Sequence, residues 1–395
     1  MNAYLSKEIL AGFDSYKYSA IDTSPVSNYV CHPFWNKVVK IVPLWIAPNL
    51  LTLSGFLMLV FNFFLMTYYD PHFYASSRDF PENPPIPNWV WLVAAFCNFL
   101  SHTLDGIDGK QARRTKTSSP LGELFDHGLD SWATLFLPVG LYSIFGRGEY
   151  GVGVYRVYFV IIGIMFCFVV SHWEKYNTGV LFLPWGYDIG QIGMTGVYLI
   201  TYIFGYEMWK FTVPLVNLTA AELFEIVCYL GFLGLTFPFT FWNVYQSYVQ
   251  KTGKMRPFSE AMRPLVSTLA LFVLMIVWVT YSPYDIVEKQ SRLIYWTTGT
   301  AFSNIACQLI ISQMSSTRCE FLNPKLLPLL GVVAASLLMP LGQGEVYLLW
   351  AYCIFVTLDH IYFGVLVVQE MCKHLKINAL TIKPVENGHT EVESP

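Results

Sequence analysis

Two pairs of aspartates in this chain have the spacing of a cation-binding cluster. Asp105 and Asp108 lie three residues apart in Leu104-Asp105-Gly106-Ile107-Asp108-Gly109-Lys110-Gln111-Ala112-Arg113, and Asp126 and Asp130 lie four apart in Gly122-Glu123-Leu124-Phe125-Asp126-His127-Gly128-Leu129-Asp130. On helices each pair shares one face, its members separated along the axis by roughly 4.5 and 6 Å. Gathered into one volume, unpaired carboxylates repel, and divalent cations offset that cost. All-oxygen ligand sets favour Mg²⁺, Mn²⁺ or Ca²⁺ over zinc, and several carboxylates at this spacing could hold two ions. Arg113, one turn past Gly109, is placed to meet a phosphate. Gly106, Gly109 and Ala112 leave room for a close-packed neighbour or a bulky substrate. Read singly, Asp105 and Asp108 are solvated helix-end charges and Asp126 is a partner for a helix N-terminus. The whole arrangement, with glycines and Arg113 interleaved, reads as a functional site.

The elements that must position these acids are membrane helices. Hydrophobic residues make up 54% of the 395, and charged residues only 13%. Soluble domains carry about 25% charge, so this chain lacks the polar surface to dissolve in water. Acids inside such spans default to function. The net charge of −3 argues for no nucleic-acid partner. The eight cysteines show no CxxC or Cys/His spacing of the zinc type and read as small buried hydrophobes.

A span needs about 20 apolar residues, and ten segments qualify: 44–69, 89–105, 121–144, 155–170, 189–203, 223–242, 265–281, 293–311, 326–341 and 346–368. An even count puts both termini on one side. That side then receives most of the lysines and arginines, including Lys110, Arg114, Lys116 and Lys175, so it is read as cytosolic. The expected fold class is an all-α integral membrane protein of about ten transmembrane helices. Three regions follow: a cytosolic N-terminal segment, 1–43, with an interfacial helix at 33–44; a transmembrane domain, 44–371; and a cytosolic, largely disordered tail, 372–395. Asp105 and Asp108 end the second span, Asp126 and Asp130 begin the third, and the turn between them makes the two helices neighbours.

The acids match the signature of the CDP-alcohol phosphotransferase family, Asp-Gly-x₂-Ala-Arg-x₈-Gly-x₃-Asp-x₃-Asp. It is filled here by Asp108-Gly109, Ala112-Arg113, Gly122, Asp126 and Asp130, with Asp105 as the preceding aspartate. Residues 47–52, 125–131 and 171–179 resemble the eukaryotic choline/ethanolamine branch. The resemblance implies a ten-helix fold with a site open to the cytosol in an endoplasmic reticulum or Golgi membrane. It implies two Mg²⁺ or Mn²⁺ ions held by Asp105, Asp108, Asp126 and Asp130. Asn49 and Arg113 would contact the CDP-alcohol, with Gly109 and Ala112 letting the nucleotide sit close. The reaction implied is attack of the diacylglycerol hydroxyl on the β-phosphorus of CDP-ethanolamine, or of CDP-choline, with CMP leaving.

That hydroxyl needs a base, and metal-bound aspartates are poor ones. His127 is favoured, with Asp130 as the alternative; a third reading has His127 only orienting Asp126. Asn98 and His102 either line the cavity or bond a neighbouring helix. Glu123 supports the site or is a solvated first-turn acid. His172, Glu174 and Tyr176 are candidate head-group or nucleotide contacts. Asn304, Gln308 and Gln313 read as interhelical bonds, with the lining of a lipid cavity as the alternative, and Asp359-His360 as a homodimer contact or a structural pair. A lipid transporter or scramblase would also have ten spans and buried acids, but this chain shows no paired broken helices in its two halves.

Overall fold

In the computed structural model, residues 4–183 and 185–382 are described. The polar tail expected to be disordered lies, from residue 383 on, outside them. The N-terminal segment holds α1 (Lys7–Asp14), a two-residue strand β1 (Ala20–Ile21), a π-helical turn at Ser27–Cys31, and α2 (His32–Val38). Helix α2 thus occupies the first half of the stretch expected to lie at the interface. Then follow α3 (Pro48–Tyr69), α4 (Asn88–Thr115), α5 (Pro120–Phe145), α6 (Val154–Thr178), strand β2 (Leu181–Phe182), and α7 (Gly186–Phe204). Helix α8 (Ala220–Tyr229) continues through a π-helical stretch, Leu230–Thr236, into α9 (Phe237–Gln250). The chain ends with α10 (Phe258–Tyr281), α11 (Ile286–Lys289), α12 (Ser291–Met314), α13 (Leu326–Leu338) and α14 (Gly344–Leu375).

Each of the ten apolar segments falls on a helix. Among the described residues, six helical stretches are long and apolar enough to cross a membrane: α3, α4, α6, the continuous Ala220–Gln250, α10 and α14. The other four depart for physical reasons. Helix α13, at thirteen residues, spans about 20 Å, short of the ~30 Å hydrocarbon layer. Helix α7 opens on polar residues, with Asp188 and Gln191 buried. Helices α5 and α12 are diluted by polar groups because they face protein. Thr297, Thr298, Thr300 and Ser303 of α12 are all fully buried. At Gly299 a Cβ would lie 2.9 Å from Leu135 of α5, so the absent side chain sets how closely the two helices approach.

Local signals place the carboxylate-bearing helices. Pro48 begins α3, where its missing N–H costs nothing. Helix α4 ends on Lys116 in the left-handed region (φ +58°), and Ser119 caps α5 at Gly122 N with Pro120 at its first turn. The short connection leaves the C-terminal end of α4 beside the N-terminal end of α5. Helix α3 packs along both. Trp35 of α2 seats against Gly106, where a Cβ would fall 2.2 Å from the indole. Gly106 therefore admits a packed neighbour, whereas at Gly109 the nearest atom to a Cβ would be Arg113 Nη1 at 3.6 Å.

Candidate active site

Across the turn between α4 and α5, one oxygen each from Asp105, Asp108 and Asp126 lies within 4.8 Å of the other two. Of the four expected ligands these three converge; Asp130, one turn further along α5, is not in that group. Thr52 donates to Asp108 Oδ2 at 2.6 Å, and Tyr187 to Asp105 Oδ2 at 3.1 Å. The lone pairs left over point into one volume, which is where carboxylates of one sign need a cation. Hard oxygen donors gathered this closely fit a divalent cation.

Around this cluster stand the expected donor contacts. Arg113 is exposed. Asn49 is buried at the start of α3; its Nδ2 donates to Ala379 O at 3.0 Å, and its Oδ1 lies 3.6 Å from where a Cβ on Gly122 would be. The amide thus sits at the N-terminus of α5 beneath the C-terminal residues of the described chain. Gly109 and Ala112 are half-buried on the same face of α4 as Arg113.

His127 is buried on α5. Its Nε2 lies 3.7 Å from Asp126 Oδ2 and its Nδ1 3.8 Å from Glu123 Oε1, and Nδ1 has no hydrogen-bond partner among the described residues. Glu123 is buried, so the solvated reading fails. Its carboxylate receives the Lys175 ammonium on one oxygen and the Tyr16 hydroxyl on the other. Burial, and then the Glu123 charge, push the Tyr16 phenol up, so it remains a donor. The ammonium of Lys175 also faces the rings of Tyr18 and Tyr16, at 4.9 and 5.5 Å. Tyr18 in turn lies 6.2 Å from the His127 ring. The N-terminal segment is held over the site by β1, which pairs in parallel with β2.

Lys175, counted above among the basic residues of the cytosolic side, is therefore an interior residue. Removing one partner of a buried ion pair costs about 3–5 kcal/mol. Lys175→Met is expected to lower the melting temperature of the detergent-solubilised protein accordingly, and an unchanged melting temperature would show the pair to be solvated.

The other candidates make their own contacts. His172 is adjacent: its ring is 5.1 Å from His127 and its Nδ1 3.1 Å from Gln313 Nε2. Glu174 is buried, its Oε1 without a hydrogen-bond partner among the described residues. Tyr176 packs under Arg256, 3.9 Å from ring to guanidinium, and its hydroxyl accepts from Cys319 N. Asn98 bonds α7 through Gln191 O (3.0 Å) and Thr195 (2.8 Å). His102 pairs with Asp188 at 2.7 Å. Asn304 and Gln308 bond each other and Asn323. Asp359 and His360 pair within the chain, to Lys325 (2.6 Å) and Ser303 (3.1 Å). Sequence reasoning missed Tyr16, Tyr18, Thr52 and Tyr187; only Thr52 lay in a stretch already singled out.

The fold and site define a helical, multi-pass membrane protein with an acidic cation pocket at one helix junction. The CDP-alcohol phosphatidyltransferase family profile matches residues 45–221. The chain is 50% identical over 381 residues to ethanolaminephosphotransferase 1 of Mus musculus, covering 96% of this chain and 95% of the relative. Against the Homo sapiens protein of the same name it is 50% identical over 380 residues, with the same coverage. Choline/ethanolaminephosphotransferase 1 of Arabidopsis thaliana is 32% identical over 410 residues, covering 96% and 98%. This chain belongs to the CDP-alcohol phosphotransferase family.

Proposed function

We propose that the chain transfers phosphoethanolamine from CDP-ethanolamine to diacylglycerol, giving phosphatidylethanolamine and CMP. The observation that carries this reading is the convergence of Asp105, Asp108 and Asp126 beside Arg113. The choice of alcohol rests on the half-identical relatives whose names specify ethanolamine. In this reading 44–371 is the catalytic domain, crossing an endoplasmic reticulum or Golgi membrane ten times. The segment 1–43, the tail 372–395 and the site face the cytosol. Asp105, Asp108 and Asp126, with Asp130 one turn away, would hold two Mg²⁺ or Mn²⁺ ions, which when bound screen the diphosphate and the charge growing on the leaving oxygen.

The chain's own residues do the rest. Arg113 meets the diphosphate, and Asn49, Gly109 and Ala112 bound the nucleotide's place. Diacylglycerol reaches the helix junction from the bilayer, so a soluble donor and a lipid acceptor meet at one point. His127 takes the acceptor's proton as its oxygen bonds to the β-phosphorus and the bond to CMP breaks. Glu123, 3.8 Å from Nδ1, favours the imidazolium that results, and Lys175 with Tyr16 holds Glu123 in place. CMP release is measured from CDP-ethanolamine and CDP-choline in parallel, with diacylglycerol, with and without Mg²⁺. We expect magnesium-dependent release with CDP-ethanolamine preferred. Preference for CDP-choline overturns the choice of alcohol, and no release from either overturns the reaction.

A further inference from the structure

Beside the aspartate cluster the interior assembles a second set of metal-ligating atoms of different chemistry. We propose that Cys31, His102 and Asp188 form a zinc site that ties the N-terminal segment to α4 and α7. One ligand atom from each residue, a thiol sulfur, an imidazole nitrogen and a carboxylate oxygen, lies within 4.8 Å of the other two, and all three residues are buried. They come from three elements remote in sequence: the π-helical turn before α2, the middle of α4, and the first turn of α7. Pairwise spacing along the chain therefore shows nothing of zinc type, and only the fold reveals the set.

Thiolate, imidazole and carboxylate together suit zinc, whereas the all-oxygen cluster one turn away on α4 suits magnesium or manganese. The surroundings are those of a held ligand set. Asp188 Oδ1 stands 2.7 Å from His102 Nε2, and its other oxygen accepts the Ser27 hydroxyl, which orients the carboxylate as metal-bound carboxylates are oriented. Trp35 and Tyr187 pack on the His102 imidazole, at 5.3 and 5.9 Å between rings. A tetrahedral zinc with bonds of about 2.0–2.3 Å keeps its ligand atoms about 3.3–3.8 Å apart. Binding therefore parts Asp188 Oδ1 from His102 Nε2 by about 0.6 Å and draws Cys31 in, with the thiol proton released and the imidazole proton left on Nδ1. Three protein ligands leave a fourth position for water.

The consequence reaches the neighbouring site without touching the reacting atoms. Tyr187, next to Asp188, donates to Asp105 Oδ2 at 3.1 Å. An ion held by Asp188 fixes that turn of α7, and with it the Tyr187 hydroxyl, against the acidic cluster. The role is structural, and its tests do not depend on transferase activity.

The full-length protein, purified in detergent and dialysed against magnesium buffer, is assayed for bound zinc by elemental mass spectrometry. Wild type is expected to retain one zinc per chain, as is Asp126→Asn, which alters the other cluster; Cys31→Ser and His102→Ala are expected to lose it. Cobalt(II) added to the metal-stripped wild type should give a thiolate-to-cobalt charge-transfer band in the near ultraviolet. Alkylation of Cys31, followed by peptide mass spectrometry, should rise several-fold on chelation. Equal zinc in wild type and Cys31→Ser overturns the proposal, as does a wild type that binds neither zinc nor cobalt. Should the variants fail to fold, the wild-type cobalt spectrum decides alone: a spectrum without the thiolate band refutes the site.

Discussion

Replacing Asp126 by asparagine is expected to cut turnover by at least about 10²–10³-fold, the scale for removing one preorganised electrostatic partner of a transition state. The physical ground is the shared volume of three carboxylates from two helices. A neutral amide at one corner keeps the shape but removes a unit of the negative charge that draws in the cations. The same substitution relieves like-charge repulsion in the metal-free protein. Its melting temperature in detergent without divalent ions should therefore equal or exceed that of wild type. CMP release at saturating magnesium, measured beside thermal unfolding, separates the two effects. Retained turnover in a folded Asp126→Asn protein would refute the metal assignment.

The second large effect belongs to His127. Loss of a positioned general base typically costs about 10²–10⁴-fold, so His127→Ala is expected to lose that much kcat, with the donor KM nearly unchanged. Truncation opens a small space between Glu123 and Asp126, and added imidazole should enter it and restore part of the rate. Asp130→Asn should show no such rescue, which distinguishes the two candidate bases. A rise in donor KM without imidazole rescue would instead make His127 a residue that only orients Asp126.

The acidic cluster was legible in the sequence because its geometry is local. Separations of three and four residues on helices, joined by a short turn, leave little freedom in where the oxygens go. The roof of the site was not legible. Tyr16 reaches Glu123 across 107 positions, and Lys175 reaches it across 52. No periodicity encodes such contacts, and a lysine at the end of an apolar run looks like any interfacial charge. Gly106 and Gly109 are identical by composition, yet one is filled by Trp35 and the other is open, a difference set by where α2 docks. The apolar segments marked the helices well. Hydropathy describes contact with lipid, however, and is a poor guide to helices that other helices surround. For that reason α5 and α12 fall short of a span by composition.

That property of α12 bears on how the protein is made. On the ten-crossing reading, a nascent segment so rich in threonine and serine gains little by partitioning into lipid on its own. Its hydroxyls find partners on neighbouring helices: Thr298 meets Tyr158 of α6 at 2.9 Å, Thr300 meets Trp132 of α5 at 3.1 Å, and Ser303 meets Ser131 of α5 at 2.6 Å. All these partners precede α12 in the chain, so they have already left the ribosome when it emerges. Biogenesis can thus proceed in order of translation, with the earlier helices forming the polar-lined slot that receives the later one.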